Sequence, residues 1–380
     1  MPPAFQLAPV PRITHAVGAL SRVGELSAPL AAGCPVLLVL DPGLRRSGLD
    51  ERAERALRDA ALEVVPFDAF KSDPTMAQAD AAAALARAQG IGAVVILGGG
   101  SALDLGKAVA AIAPDDAPAA HYALGANPFP ATPLRKLCVP TTAGTGAEAT
   151  RTAVLTAADG AKVWLWGDQL KADEILLDPE LCVSLPAELT AATGLDALVH
   201  AIEACTNRHA NPANDLYGHA AIRLVAGHLL RAVREPTDLA ARSALLLAAT
   251  LAGIAIDNAG TAIAHNIGHA LGSLRPIHHG RAVALAMLAT LDWNTAHDDG
   301  RFAAAAEALG VDELPSGFER LVRAAGLRVA LHGEGFDDLT PERLAAQMAR
   351  PENRAMRESN LRPVADADLL VFAHRVLTQH

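Results

Sequence analysis

The stretch AVVILGGGSALDLGK, residues 93–107, contains the pattern that decides the fold of the N-terminal half. Its first five residues form a short apolar run rich in β-branched side chains, which predicts a buried strand. Three glycines follow, and they allow the backbone to turn sharply and to approach a ligand closely. The segment then opens into a predicted helix, whose first N–H groups can hold a diphosphate with help from the helix dipole. By itself such a loop is equally typical of a tight strand-to-helix turn.

The sequence on both sides repeats this alternation of short apolar runs with helix-length segments. The runs at residues 35–40, 62–67, 93–97 and 137–139 are predicted strands, and those at 50–61, 75–88 and 102–113 are predicted helices. Strands separated by helices indicate βαβ units and a mostly parallel sheet. Residues 153–156 and 162–166, joined by a turn-like AADGA, predict a hairpin, and 174–177 predict a last strand.

The pattern changes near Leu185-Pro186, after which the sequence has almost entirely helical periodicity. Helices are predicted at residues 190–205, 212–234, 239–257 and 279–294. A chain of 380 residues is long for one core and comfortable for two. We therefore expect an α/β domain over residues 1–183 and an all-α domain over residues 184–380.

Composition excludes several classes of partner. The formal net charge is −10 and no long basic run occurs, which argues against nucleic acid and anionic membranes. The N-terminus lacks the basic-then-apolar order of a secretion signal, and no apolar stretch reads as a membrane span. Four widely spaced cysteines favour free thiols over a disulfide, as in the reducing cytoplasm, where we expect this protein.

A second small-residue loop, PTTAGTGAEAT at residues 140–150, follows another predicted strand. Thr141, Thr142 and Thr145 offer hydroxyls to a ribose or phosphate, and ligands of parallel sheets bind at the carboxyl ends of strands. Asp41 ends the run PVLLVLD, where an acidic residue commonly bonds the adenosine ribose and repels a 2′-phosphate. The pattern favours NAD over NADP, although Asp41-Pro42-Gly43 is also typical of a simple turn.

The helical half contains a set of potential metal ligands. Asp196 and His200 are four residues apart, as are His265 and His269, so each pair shares one face of a helix. The pair His278-His279 follows after a short loop. Three imidazoles and a carboxylate on otherwise apolar helices suit a divalent ion, and Fe(II) and Zn(II) both fit such a set.

With these motifs the chain resembles the iron-containing (group III) alcohol dehydrogenase family. The resemblance covers nearly the whole chain. It is carried by GGGSALDLGK, PTTAGTGAEAT, DPEL at 178–181, TAATGLDALVHAIEA at 190–204, HNIGHALG followed by HHG, and NLRPVADADL near Asn360. It implies an α/β dinucleotide-binding domain joined to an all-α metal-binding domain, the dehydroquinate synthase-like architecture.

The resemblance also assigns roles to individual residues. It implies the metal ligands Asp196, His200, His265 and His279, with His269 as a catalytic residue beside the metal. It places Gly98, Gly99, Ser101 and Asp104 in the diphosphate loop, and Thr141, Thr142 and Thr145 around the nicotinamide half. Lys162 matches a lysine that family members often place near the cofactor, and we expect it to be catalytic.

Three positions depart from the family pattern. Asp73-Pro74 stands where the family often has Asn-Pro, GTGAE replaces GTGSE, and His278 is an additional imidazole. Arg275, in the loop before His279, is either an ordinary solvated arginine or a cation that holds an acidic group of the substrate.

The expected function is NAD(H)-linked, metal-dependent oxidation of a small alcohol or reduction of an aldehyde, with Fe(II) or alternatively Zn(II). The substrate is expected to be a small molecule, possibly acidic, and exposed early strands suggest a homodimer. Two alternatives remain open: a zinc-dependent polyol oxidoreductase of the glycerol-dehydrogenase type, and a catalytically silent dinucleotide-binding scaffold.

Overall fold

A computed structural model describes residues 4–379 and contains eight strands in that range. The strands are β1 (Arg12–His15), β2 (Val36–Leu40), β3 (Val64–Phe67), β4 (Ala93–Gly98), β5 (Arg135–Pro140), β6 (Thr152–Thr156), β7 (Lys162–Trp166) and β8 (Glu174–Leu177). Six of them form one sheet in the order β1-β8-β5-β4-β2-β3, and every pairing in it is parallel. Strands β6 and β7 form a separate antiparallel pair.

Fourteen α-helices lie in the described range. They are α1 (Val23–Ala31), α2 (Leu49–Asp59), α3 (Met76–Ala88), α4 (Gly100–Ile112), α5 (Ala187–Thr206), α6 (Pro212–Arg234), α7 (Leu239–Ala259), α8 (Ile263–Leu274), α9 (His279–Thr295), α10 (Arg301–Leu309), α11 (Leu314–Ala324), α12 (Pro341–Met348), α13 (Arg354–Ser359) and α14 (Asp366–Leu377). The first four alternate with strands, and the last ten follow one another without a strand. The predicted fold class, an α/β half followed by a helical half, is confirmed.

The chain divides into two compact units. The α/β unit comprises Pro9–Thr142 and Gly146–Ser184, and the helical unit begins at Leu185 and also takes in Ala143–Thr145. In the α/β unit the central strands β2 and β4 are buried along their whole length, which explains why their sequences read as uninterrupted apolar runs.

One strand was not predicted from the sequence. Strand β1 has only four residues, RITH, and its ends are exposed because it lies at the outer edge of the sheet beside β8. A short edge strand with polar ends lacks the apolar run by which the other strands were recognised.

In the helical unit, α5, α6 and α7 pack against one another, and α8 packs on α9. Helix α7 is long and apolar enough to span a membrane by length and composition, contrary to our expectation that no stretch reads as a span. However, 61% of its apolar window is buried inside the protein, which is typical of a core helix. The four cysteines are free thiols, as predicted, and three of them are buried.

Candidate functional site

One face of α5 carries three acidic or imidazole side chains. Asp196, His200 and Glu203 follow one another at spacings of four and three residues, which places them on the same side of the helix. All three are buried, with exposed fractions of 1%, 5% and 3%. Since buried polar groups need partners, this face requires donors or a cation opposite it.

Two further imidazoles come from the beginnings of other helices. His265 is the third residue of α8, and His279 is the first residue of α9. The residue after His279 is glycine, and a Cβ on Gly280 would lie only 3.1 Å from the Cβ of Asp196. The absence of a side chain at position 280 therefore lets the start of α9 approach the ligand face of α5.

The four side chains converge. The Oδ1 atom of Asp196 lies 3.8 Å from His200 Nδ1, 3.8 Å from His265 Nε2 and 3.7 Å from His279 Nε2. One ligand atom from each of the four lies within 4.8 Å of all the others. Tetrahedral ligands at about 2.1 Å from an ion are separated by roughly 3.4 Å, close to the distances found. These separations are too long for hydrogen bonds and suitable for ligands of one shared cation.

Three of the ligand atoms are buried without a hydrogen-bond partner: Asp196 Oδ1, His200 Nδ1 and His265 Nε2. An unpaired buried carboxylate oxygen facing imidazole nitrogens is costly in the absence of a cation. The residues present therefore fit a divalent ion held by a carboxylate and three imidazoles.

Burial also shifts the protonation equilibria of this cluster. It raises the pKa of Asp196 to about 8, with a further contribution from the nearby Glu203 carboxyl. It lowers the pKa of His265 to about 3 and that of His200 well below its ordinary value. The imidazoles of His200 and His265 are thus held neutral, which is the form that binds metal ions.

In the α/β unit, the polar loops meet where the strand order reverses. The chain passes from β2 to β3 on one side and then crosses to β4 on the other side of β2. The gap between the carboxyl ends of β2 and β4 is therefore a topological switch point. Asp41 follows β2, and its N–H donates to the carbonyl of Leu97 on β4 over 3.0 Å. Gly98 follows directly, and a Cβ there would lie 2.9 Å from the Cβ of Asp41 and 2.5 Å from that of Ala102. No side chain fits at position 98.

The neighbouring loop joins this group from β5. The Thr141 N–H donates to the Gly98 carbonyl over 3.0 Å, and a Cβ on Gly99 would meet Thr142 at 3.2 Å. Gly99 is also the N-cap of α4 and supplies no capping side chain, so the helix start is suited to an anionic ligand. Residues 41, 98, 99, 141 and 142 thus lie together at one edge of the sheet.

Comparison with known proteins gives the same result for both halves of the chain. Residues 10–179 match the family model described as iron-containing alcohol dehydrogenase, and residues 190–372 match the model of its C-terminal part. The chain belongs to the iron-containing alcohol dehydrogenase family. The resemblance inferred from the sequence motifs is confirmed.

Individual relatives extend over most of the chain. It is 34% identical to choline dehydrogenase of Bacillus subtilis (strain 168), over 82% of this chain and 78% of that protein. It is 33% identical to long-chain-alcohol dehydrogenase 1 of Geobacillus thermodenitrificans (strain NG80-2), over 91% of each. The crystal structure of sulfoacetaldehyde reductase from Bifidobacterium kashiwanohense in complex with NAD+ superimposes with a TM-score of 0.90 at 27% identity, covering 99% of this chain and 100% of that one. The chain is accordingly a metal-dependent alcohol dehydrogenase or aldehyde reductase.

Three further residues singled out in the sequence, His269, His278 and Arg275, are not among the four converging ligands. The His269 ring is half-buried, 5.3 Å from the His279 ring and 6.4 Å from the His265 ring between centroids. His278 is exposed and is not among the four converging ligands. The Arg275 guanidinium binds both carboxylate oxygens of Asp338, at 2.8 and 2.7 Å.

Lys162 and Ser101 both contact Asp73, one of the three positions that depart from the family pattern. The ammonium of Lys162 forms an ion pair with the Asp73 carboxylate, and the Asp73 N–H donates to Ser101 Oγ over 3.2 Å. Asp73 has a positive φ of 58°, a conformation that aspartate and asparagine tolerate better than other residues with a Cβ. Asp73 therefore joins the glycine-rich loop to the β6–β7 pair.

Thr145 and Asp104 are two more residues for which a place near the cofactor is expected. Thr145 belongs to the helical unit, whereas Thr141 and Thr142 belong to the α/β unit. The Asp104 carboxylate accepts a hydrogen bond from the Val154 N–H at 3.0 Å and lies 3.5 Å from the buried Lys107 ammonium. Burial raises the pKa of Asp104, and the Lys107 charge opposes that shift.

Sequence reasoning missed Glu203, which contacts the ligand His265. A signal was present, since Glu203 continues the i, i+4, i+7 face that Asp196 and His200 begin. Lys107 is the last residue of the glycine-rich motif, and the sequence alone indicates no role for it. In the structure it is fully buried and donates to the carbonyls of Ala147, Thr150 and Thr152.

Proposed function

We propose that this protein interconverts a small alcohol and its aldehyde with NAD(H), using one divalent ion, Fe(II) or alternatively Zn(II). The observation that carries the proposal is the convergence of Asp196, His200, His265 and His279, three of whose ligand atoms are buried without hydrogen-bond partners. A catalytically silent scaffold has no need of such a costly arrangement.

The chemistry follows from what each group supplies. A divalent ion bound there supplies Lewis-acid polarisation of an alcohol or carbonyl oxygen, and the dinucleotide supplies hydride chemistry. The chain supplies one carboxylate and three imidazoles in a largely buried cluster, where electrostatic interactions are strong. His269, half-buried beside the His279 ring, is proposed to exchange the hydroxyl proton with solvent.

The preference for NAD is supported by the α/β unit. The glycine loop leaves no room for side chains next to the uncapped start of α4, which suits a diphosphate. Asp41 lies beside that loop, and a carboxylate there favours ribose hydroxyls over a 2′-phosphate. We assign Gly98, Gly99, Ser101, Thr141 and Thr142 to the dinucleotide site, with Lys162 and Asp104 beside it.

The substrate proposal is limited to small alcohols and aldehydes, as the names of relatives that act on methanol and on 1,3-propanediol suggest. An acidic substrate would need a cation, and Arg275 is already paired bidentately with Asp338. We therefore favour an uncharged substrate over an acidic one. Polyols are the substrates expected under the glycerol-dehydrogenase alternative.

The test is a substrate screen on chelator-treated protein reconstituted anaerobically with Fe(II) or Zn(II). NADH absorbance is followed with simple alcohols, aldehydes, acidic aldehydes and polyols. The proposal expects turnover that disappears on chelation, returns with metal, and is highest with small uncharged substrates. Turnover that persists in the chelated protein would contradict it, and a preference for polyols with Zn(II) would favour the alternative.

Two further properties concern the oligomeric state and the location of the protein. A homodimer is proposed because β1 and β3 are the outer strands of the sheet and offer edges for pairing. Light scattering after size exclusion measures this directly. A cytoplasmic location is proposed from the free thiols, and fractionation of the native host tests it.

A further inference from the structure

The carboxyl group of Glu203 makes three short hydrogen-bonding contacts within the helical unit. The N–H groups of Ala262 and Ala264 donate to it over 2.8 and 2.7 Å, and Nδ1 of His265 lies 2.6 Å from Oε2. Glu203 is 3% exposed, so these three contacts replace its hydration. The two backbone N–H groups can only donate, so both oxygens of Glu203 serve as acceptors, and the His265 ring is the third group in contact with them.

Two of these contacts cap a helix. Helix α8 begins after Ala262, which has no side chain able to cap the first turn. Glu203 on α5 supplies the missing acceptor from a residue some sixty positions earlier in the chain. A carboxylate at a helix N-terminus also interacts favourably with the helix dipole. The start of α8, where His265 lies, is thereby held against the ligand face of α5.

The third contact determines which nitrogen of His265 is available. A hydrogen bond donated by Nδ1 to Glu203 leaves the lone pair of the neutral ring on Nε2, and Nε2 is the atom 3.8 Å from Asp196 Oδ1. The same hydrogen bond fixes the plane of the ring and makes Nε2 a better electron donor. A divalent cation, Asp196 and Glu203 together carry no net charge, which reduces the cost of burying the ion.

We infer that Glu203 is a positioning residue of the metal centre, which fixes His265 by capping α8 and by selecting the ring tautomer that presents Nε2 to the ion. This inference rests on one part of the proposed function, the binding of a divalent ion, and does not depend on the reaction or the substrate. It assigns no contact between Glu203 and substrate.

The test is Glu203→Gln in the full-length protein. Glutamine keeps the size of the side chain but replaces one carboxylate oxygen with an NH₂ group. That NH₂ group must face either the Ala264 N–H or the pair formed by the Ala262 N–H and the His265 ring, so one acceptor is replaced by a donor. Zn²⁺ affinity is measured by competition with a chromogenic chelator. We expect affinity to fall by about 10–100-fold, the usual effect of losing such a partner of a metal-ligating histidine. An affinity within about twofold of wild type would overturn the inference.

A matched control separates positioning from general loss of stability. Asn211 is also buried and caps α6 through Asn214 N–H, but it is not one of the converging ligands. Asn211→Ala should lower the unfolding midpoint and leave Zn²⁺ affinity unchanged. If it weakens Zn²⁺ binding as much as Glu203→Gln does, capping in general and not Glu203 controls the site, and the inference is overturned.

A measurement on the wild-type protein covers the case in which Glu203→Gln does not fold. In Zn²⁺-loaded protein labelled with ¹⁵N-histidine, the His265 signals, identified by their absence in His265→Gln, should show a protonated Nδ1 and a metal-bound Nε2. A metal-bound Nδ1 would overturn the inference. If the wild-type protein binds no Zn²⁺, Fe²⁺ or Co²⁺, the proposed function fails together with this inference. If the wild-type protein binds the metal and Glu203→Gln binds it equally tightly, only the role of Glu203 is removed.

Discussion

Gly280 at the start of α9 lies directly against the backbone of Ala192 on α5. A Cβ at position 280 would lie 2.8 Å from the Ala192 carbonyl carbon, inside van der Waals contact. Two helices can approach this closely only where a residue has no side chain, and here the approach brings His279 to the same ion site as Asp196.

We predict that Gly280→Ala weakens metal binding by at least about tenfold. The added methyl has no room and must push α9 away from α5, which costs about 1–3 kcal/mol of stability and withdraws His279. Metal content after dialysis and the urea unfolding curve measure the two effects.

The control is Gly227→Ala on α6, where a Cβ would meet nothing within 4 Å. This variant should keep its metal and gain about 1 kcal/mol in helix stability. Equal metal content in both variants and in wild type would show that the close approach at Gly280 does not determine the site.

A second prediction concerns cofactor choice at Asp41. Its Oδ1 accepts a hydrogen bond from Gly43 N–H at 2.9 Å, so removal of the side chain would disturb the turn as well as the charge. Asp41→Asn keeps an acceptor and removes only the charge. We expect the ratio of kcat/KM for NADP to that for NAD to rise by about tenfold or more, since like charges a few ångströms apart near a protein surface cost on the order of 1–4 kcal/mol.

Asp41→Gly should raise the ratio further and also lower stability, since it loses the turn contact. An unchanged cofactor ratio in both variants would remove Asp41 from the ribose site.

The ion pair between Asp73 and Lys162 gives a third prediction. Asp73→Asn retains a residue suited to positive φ and releases Lys162 from its counter-charge. NADH should then bind more tightly and with a steeper dependence on salt, because an unpaired ammonium attracts the diphosphate. Stability should change by only about 1 kcal/mol, because the Asp73 side chain is 60% exposed and its charge is well solvated, although the Lys162 side chain is only 13% exposed.

Lys162→Ala should have the opposite effect on NADH, measured by fluorescence titration. Asp73→Ala should cost about 1–2 kcal/mol more than Asp73→Asn, because alanine tolerates the left-handed conformation poorly. Identical NADH affinities in Asp73→Asn, Lys162→Ala and wild type would exclude both residues from the cofactor site.

A fourth prediction concerns Lys107. Its ammonium is fully buried, donates to Ala147 O at 2.6 Å and lies 3.5 Å from the Asp104 carboxylate. Lys107→Met leaves these acceptors unsatisfied, and we expect a loss of about 3–5 kcal/mol in the free energy of unfolding.

The exposed Lys71 provides the comparison. Lys71→Met should change stability by less than about 0.5 kcal/mol. A loss below about 1 kcal/mol for Lys107→Met in urea unfolding would mean that the loop at 147–152 does not depend on this cation.

The features that could be predicted from sequence are those with a short-range signal. Strands such as β2 and β4 were recognised because both faces are buried and their residues are uniformly apolar. Asp196 and His200 were recognised because helical spacing alone places them on one face. Glycine loops after strands indicated a cofactor site at the strand ends.

What could not be predicted depends on contacts between distant segments. The cap that Glu203 provides for α8 joins residues about sixty apart, and no local pattern in α8 indicates where its acceptor lies. The pairing of Asp73 with Lys162 spans an even longer stretch, and the close approach at Gly280 depends on where α5 lies. Strand β1 was missed because its four residues carry no apolar run.

The central claim is that one ion is bound jointly by Asp196, His200, His265 and His279. Anomalous diffraction from crystals of the protein loaded with Fe(II) or Zn(II), recorded at the absorption edge of the metal, tests it directly. The account predicts one strong peak per chain with all four ligand atoms at about 2.0–2.3 Å. A peak bound elsewhere, or well-ordered ligands with no peak between them in fully loaded crystals, would contradict it.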